Sequence, residues 1–320
     1  MLTACSSTND EAGADTPITI RVAHGYFNDS VEHEVLEETA DSIRERTDGQ
    51  LDLSVFSDNQ LGTNADVVEQ AVSGGDLIVF VDASGAAEQG VPEMGILSGP
   101  WLFDDVEQAN EFSKSELFGE WTETLASEAN LRILALNWFD APRDIIGNAP
   151  YTTPESLNGT KLRLPPLDAW VQTFSPLGVT PTNLTYGETY GALQQGVVDG
   201  AESSPNAIYA AKWHEVAKHL TRTGHIRPWL GYAMGNDAFM NLSKEHQQIL
   251  VEEFQAAGEE AAQRHADLTE ENIQAMKDGG VQVHEIDVAA FREIAEEFYA
   301  NSPNWEPGLV DEVRAAAGDS

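Results

Sequence analysis

Residues 156–205 read SLNGTKLRLPPLDAWVQTFSPLGVTPTNLTYGETYGALQQGVVDGAESSP. In this stretch TKLRLP alternates like a strand, residues 167–175 read as a helix, and GVTPTNL is extended. Residues 186–195 are again helical, and GVVDGAE is a short strand running into a loop. Strand and helix alternate, which is the pattern of an α/β unit. In KLRLPP, Leu162 and Leu164 point to one face, and Lys161, Arg163 and Pro165 to the other. A guanidinium on a strand is a structural ion-pair partner, a snorkelling surface group or a fork for a carboxylate ligand. Arg143 opens the preceding strand, DIIGN. If the two strands are neighbours, both guanidiniums reach one cleft.

The same alternation precedes this unit. ITIRVAH (18–24) is a strand, Ser30 caps a helix with Val35, Leu36, Ala40 and Ile43 on one face, and Gly49 closes it. LDLSVF is a strand, residues 65–72 a helix, and LIVFV (77–81) a buried strand. This β-α-β-α-β order predicts a second α/β domain with a largely parallel sheet, whose ligands sit beyond the carboxyl ends of the strands. The loops at 24–28 and 82–84 are the candidate binding edges. Residues 106–128 read as helical and LRILALNWF (131–139) as a strand. Residues 243–277 are helical almost without a break, with Gly279 as the stop and Gly258 as the place for a kink. At ~1.5 Å per residue that helix is about 50 Å long, more than one domain of this size spans. It therefore runs from one domain onto the other.

The chain has 320 residues, 54 acidic and 17 basic, for a net charge of −37. Such a surface repels nucleic acid and anionic membranes, so neither is a partner through a basic patch. The acids are spread along the helices, which is the surface of a protein adapted to concentrated salt. The charge is uneven: from 143 to 227 there are seven bases and seven acids. That neutral segment either faces an anionic ligand or is more buried than the rest.

Signatures of catalysis and metal binding are weak. HEVAKH (214–219) resembles the zinc motif H-E-x-x-H, but its two histidines are five residues apart and diverge by about 140° on a helix. They read as surface histidines of a short helix. No G-x-S-x-G elbow, P-loop or dinucleotide fingerprint occurs. Asp199 and Glu202 read as turn and cap residues. The expectation is no catalytic residue, no metal and no cofactor. No apolar run reaches the ~18 residues of a membrane span. Cys5, in LTACSS, sits in a bacterial lipobox pattern, where the cysteine becomes the lipidated N-terminus after a signal peptide is cleaved. The polar run that follows has the composition of a tether.

The whole run 156–205 resembles the solute receptors of tripartite ATP-independent periplasmic (TRAP) transporters. The shared features are a G-x-K-[IL]-R-x-P strand, an L-G-[AV]-x-P segment and an E-x-Y-x-A-L-Q-x-G-x-V-D-G-x-[ED]-N turn. HGYFNDSVEHEVLEETADSIRERTDGQLDLSVFSDNQLG (24–62) and AKWHEVAKHLTRTGH (211–225) resemble flanking parts of that family, the latter its helix after the turn. The resemblance implies a two-domain periplasmic-binding-protein clamshell with hinge strands and a long domain-spanning helix. It implies a tether at 1–16, domain I at 17–140 and 229–268, and domain II at 141–228 and 269–320. Arg163 would hold the carboxylate of a small organic acid and Arg143 would assist. The family's ligand-touching Asn is Ser203 here, a shorter group with one hydroxyl. From position, Tyr26, Asn28, Asp82 and Trp170 complete the expected site. The implied protein is a monomeric, lipid-anchored extracytoplasmic receptor that catalyses nothing and delivers its ligand to a TRAP permease. An ABC-type or sensor-associated binding protein is the alternative, and a hydrolase a distant one.

Overall fold

A computed structural model describes residues 17–165, 168–301 and 305–318; Cys5 and the expected tether lie outside them. The chain builds two mixed sheets. The strands are β1 (Ile18–Ala23), β2 (Leu51–Phe56), β3 (Leu77–Asp82), β4 (Leu131–Ala135), β5 (Asp144–Gly147) and β6 (Lys161–Leu164). They continue as β7 (Thr180–Asn183), β8 (Gly200–Ser203), β9 (His219–Arg222), β10 (Leu230–Gly235) and β11 (Gln282–Glu285). The first sheet has the order β2-β1-β3-β10-β4, and the second β11-β9-β5-β8-β6-β7. β1, β2 and β3 are parallel, and β10 runs against both β3 and β4.

The sequence patterns explain the elements of the first sheet. Ile20 and Val22 of β1 are buried, as are Val35, Leu36, Ala40 and Ile43 of the helix Val31–Arg46 packed beneath it. The Ser30 hydroxyl accepts from the His33 N–H and so satisfies one of the free donors at that helix start. Thr63 and Asp66 form a capping box on the helix Asn64–Val72.

The helix Lys244–Asp278 is the longest element, 35 residues or ~52 Å at 1.5 Å per residue. Ile249, Leu250, Phe254, Ala257 and Ala261 join the core under the first sheet. Ile273 and Met276 join the core of the second. The helix therefore spans both units. It runs unbroken through Gly258. A Cβ at that position would lie 2.2 Å from Asn137 Oδ1 and 2.8 Å from Trp138 Cδ1, so glycine there serves close approach.

Two chain segments cross between the sheets beside this helix, 136–143 and 223–229. They bond to each other, Arg143 N–H to Ile226 O at 2.9 Å and His225 N–H to Arg143 O at 3.2 Å, and Trp138 N–H donates to Leu230 O at the start of β10 at 3.0 Å. The helix Leu309–Ala316 packs on the helices Val106–Ser113 and Glu116–Glu128, beside the first sheet. The helix Val288–Asn301 touches both units. It packs against Asp168–Phe174, and its Tyr299 hydroxyl donates to Pro100 O at 2.7 Å.

Several readings change. The stretch 106–128 is two helices, because Ser115 caps the second by accepting from Phe118 N–H. The strand read at 131–139 ends at Ala135. In HEVAKH the helix stops at Val216 and His219 lies in β9, so the two histidines share no helix.

Candidate functional site

β5 runs antiparallel to β8, and β6 runs parallel to β8. The start of β5 and the ends of β6 and β8 therefore share one edge of the second sheet. β5 and β6 are not neighbours, because β8 lies between them. Arg163 pairs with Ala201, whereas Glu202 pairs with Ile145, so Arg163 and Glu202 project to opposite faces. Arg143, two residues before Ile145, is on the Glu202 side.

Arg143 is committed to Glu202. Its Nε donates to Oε2 at 2.5 Å and its Nη2 to Oε1 at 2.8 Å, the bidentate geometry of a guanidinium on a carboxylate. His225 lies 3.2 Å from the same Oε2 through Nε2, while its Nδ1 is 2.8 Å from the Thr223 hydroxyl. Burial pushes the Glu202 carboxyl up, but the Arg143 charge and the His225 and Arg143 hydrogen bonds outweigh it and hold it well below the usual carboxylate range. Burial also lowers His225, which keeps its ring neutral and fits a single N–H donated to Glu202. The Arg143 guanidinium lies 5.5 Å from the Trp170 ring centroid. Glu202 is thus a buried strand residue and counter-ion, not a turn residue. Asp199 accepts from Lys161 N–H at 3.0 Å and fixes the β6–β8 junction.

Arg163 is different. It is 3% exposed, and its Nε donates to Leu184 O at 2.9 Å. Its guanidinium rests 5.8 Å from the Trp213 ring. Among the described residues no carboxylate lies within 4.0 Å of it, and its two terminal nitrogens have no hydrogen-bond partner. Burial lowers its pKa, because Glu202 compensates it only in part. Ser203 stands on the Arg163 face, one step nearer the edge; the residue is buried, and its hydroxyl has no hydrogen-bond partner among the described residues. Tyr186 opens the helix Tyr186–Gln194, and its hydroxyl donates to Ala207 O at 2.5 Å. Burial raises that phenol, and the charges of Arg163 and then Arg143 pull it back. Both guanidiniums therefore act on one point at the edge. The Trp170 indole Nε1 is buried without a partner.

The first sheet presents Tyr26, Asn28 and Asp82 at its own carboxyl edge. The Tyr26 ring meets Phe80 edge-on, with centroids 5.5 Å apart. Asn28 is exposed. Asp82 caps the helix Ala83–Glu88 by accepting from Gly85 N–H at 2.8 Å, which occupies one of its oxygens. Near Tyr26, His265 of the long helix lies 3.0 Å from Glu32 and 3.6 Å from Asp140. Burial lowers His265, but the Glu32 hydrogen bond and the Asp140 charge raise it further, which favours the charged ring. No cluster of three or more metal-ligating side chains occurs among the described residues.

The sequence profile described as bacterial extracellular solute-binding protein, family 7, matches residues 22–304. The chain belongs to this family, the solute receptors of TRAP transporters.

The family's solved members share the fold. A TRAP periplasmic solute-binding protein from Escherichia fergusonii, described as an apo open structure, superposes with a TM-score of 0.85 at 28% identity, covering 94% of this chain and 98% of that one. One from Fusobacterium nucleatum with bound sn-glycerol-3-phosphate gives 0.79 at 28% identity, covering 94% and 97%. One from Ochrobactrum anthropi with bound L-fuconate gives 0.78 at 32% identity, covering 94% and 100%. Receptors of this family are periplasmic. No helix among the described residues is long and apolar enough to cross a membrane.

The structure brings the sequence-selected Arg163, Arg143 and Ser203 to one edge, with Trp170 beside Arg143, although the two arginine strands are separated by β8. Sequence reasoning missed Tyr186, Trp213 and His225 as parts of that edge. Each lies on a different element from the arginine it serves, and no local pattern marks it.

Proposed function

We propose that this receptor captures a small organic acid with one negative charge, using Arg163 as the carboxylate clamp, and delivers it to the membrane subunits of a TRAP permease. The observation that carries this is the buried residue Arg163, whose guanidinium has no carboxylate partner among the described residues, in a chain of net charge −37. With 54 acids available, an unpaired buried arginine is a site held ready for an external anion. Arg143 is neutralised by Glu202 and His225 is neutral, so the edge carries one uncompensated positive charge. That balance favours a monocarboxylate over a dicarboxylate or a phosphate dianion. L-fuconate, the ligand named for one relative, is a monocarboxylate; glycerol-3-phosphate, named for another, is not.

In this reading residues 17–140 and 229–268 form one lobe, and 141–228 and 269 onward the other, with the C-terminal helices bridging them. The greater overlap with the apo open relative than with the two ligand-bound ones supports an open resting state. Closure brings Tyr26 and Asn28 over the acid and dries the ion pair, which strengthens it. Trp170 and the Ser203 hydroxyl supply further donors to the ligand. The receptor acts as a monomer, anchored by a lipid on Cys5, and has no catalytic role. Loss of a substrate over time in the presence of the protein would overturn that last point. Mass spectrometry of the mature protein from its native host tests the anchor.

The test of the ligand class is a thermal-shift comparison of glucuronate, succinate and glycerol-3-phosphate. Stabilisation follows RT ln(1 + [L]/Kd). The monocarboxylate raises the melting point most; a larger shift with either dianion would refute the charge argument.

A further inference from the structure

Eleven residues of the chain are arginine. Eight lie within 4.0 Å of a carboxylate: Arg44, Arg46, Arg132, Arg143, Arg222, Arg264, Arg292 and Arg314. Arg21, Arg163 and Arg227 have no such partner among the described residues. Burial lowers the pKa of both Arg163 and Arg227. Arg163 is the proposed clamp. Arg227 lies elsewhere, on the crossing segment 223–229, and has no hydrogen-bond partner among the described residues.

Arg227 lines a cavity of about 400 Å³ and, together with Pro142 and Arg222, a neighbouring one of about 140 Å³. The larger is lined by the first crossing segment (Asn137 to Pro142), the long helix (Glu259 to Glu270) and Val106 and Asn110 of the helix Val106–Ser113. None of Arg143, Arg163, Trp170, Tyr186 or Ser203 lines it. Its volume falls in the range of about 300–1,000 Å³ usual for small-molecule pockets.

The other charged groups on its walls are already used or stand at the rim. Arg222 Nε is 2.8 Å from Asp144 Oδ2 and its Nη1 3.7 Å from Glu270. Asp140 accepts from Ala141 N–H at 2.6 Å and lies 3.6 Å from His265 Nδ1. Glu259 and Glu270 are exposed. Arg227 has no carboxylate within 4.0 Å among the described residues; Asp105, Glu107 and Asp140 act on its charge from further away and offset its burial only in part. Asn110 and Gln263 add polar groups beside it.

We propose that this hinge cavity is a second anion-binding site, centred on Arg227, for a small monovalent anion such as a carboxylate. It lies between elements of both units, so its shape changes when they rotate about the crossing segments. Ile226, adjacent to Arg227, accepts the Arg143 N–H at 2.9 Å, so an anion there acts on the backbone that positions Arg143. Binding at the two sites is therefore coupled, and reciprocally so. The site itself does not depend on Arg163 being the clamp.

The probe is difluoroacetate, followed by fluorine NMR line broadening against the full-length protein, the variants Arg163→Ala and Arg227→Gln, and the double variant. Two classes of site are expected in the unaltered protein, one in each single variant, and none in the double. Arg227→Lys keeps the charge and keeps its site. Loss of affinity at the Arg227 site in Arg227→Gln should be at least tenfold, with the melting point in ligand-free buffer showing that the variant is folded. Displacement from that site by chloride assigns it to small anions in general, and retention assigns it to carboxylates. Binding that is unchanged by Arg227→Gln, or a single class of site that Arg163→Ala alone abolishes, overturns the proposal. Two classes that both survive Arg163→Ala would instead refute the clamp.

Discussion

Arg143, the residue before β5, and Glu202 of β8 face each other across this antiparallel strand pair, with a bidentate contact of 2.5 and 2.8 Å. Glu202 is fully buried and Arg143 retains little exposure. Breaking such a pair by removing one partner typically costs about 3–5 kcal/mol, because the other charge is left stranded. Glu202→Ala is therefore expected to destabilise the protein by about 3 kcal/mol. Urea unfolding measures this. A loss below about 1 kcal/mol would place the pair among weak surface bridges.

The helix crossing at Gly258 gives a second prediction. A methyl group added there collides with the side chains of Asn137 and Trp138. Asn137 Nδ2 also donates to Gln255 O at 2.9 Å and Trp138 Nε1 to Phe254 O at 3.1 Å, which ties the helix to the crossing segment. Gly258→Ala is expected to cost about 1–3 kcal/mol, as overpacking does, despite the better helix propensity of alanine. Thermal unfolding at fixed pH and salt is the check. A gain in stability would mean that the helix and the segment stand further apart.

Much of this was legible in the sequence. The strand character of β1, β2 and β6 follows from alternation, that of β3 from a continuous apolar run, and the long helix from a nearly unbroken helical pattern stopped at Gly279. Arg163 stood out because Leu162 and Leu164 fix its strand and leave a charge on the other face. The partners of Arg143 did not stand out. Glu202 is 59 residues away, and only the antiparallel pairing of β5 with β8 joins them. β10 was illegible because LGYAMG neither alternates nor favours a strand on its own. Its place is set by tertiary fit: a Cβ on Gly231 would fall 2.0 Å from Ala135 O. Asp82 was chosen for its place at the end of β3, and the same place makes it a helix cap.

Acid sensitivity follows from His24. Burial, reinforced by the His33 ring 3.1 Å away, lowers its pKa to about 4. The unfolded chain takes up this proton near the ordinary value of 6.5, so it binds more protons than the native state between pH 6.5 and about 4. The His24 contribution is thus present above pH 6.5 and is lost as pH falls through that window. His24→Asn should flatten the slope of stability against pH there. An NMR titration that puts the His24 ring at 6.5 or higher would contradict the assignment.

Salt should stabilise the protein. At a net charge of −37 the native surface repels itself, and the screening length shrinks from about 10 Å at 0.1 M to about 3 Å at 1 M salt. The melting point in sodium chloride is expected to rise across that range. A flat or falling curve would remove the reading of the surface as one built for concentrated salt.

The central claim is that Arg163 holds the ligand's carboxylate. Isothermal titration of the unaltered protein and of Arg163→Ala with a monocarboxylic sugar acid, glucuronate or fuconate, tests it most directly. Removing a buried charged partner should weaken binding by at least 100-fold, or about 3 kcal/mol, with the melting point of the ligand-free variant close to that of the parent. Equal affinity in the two proteins would show that the acid is held elsewhere.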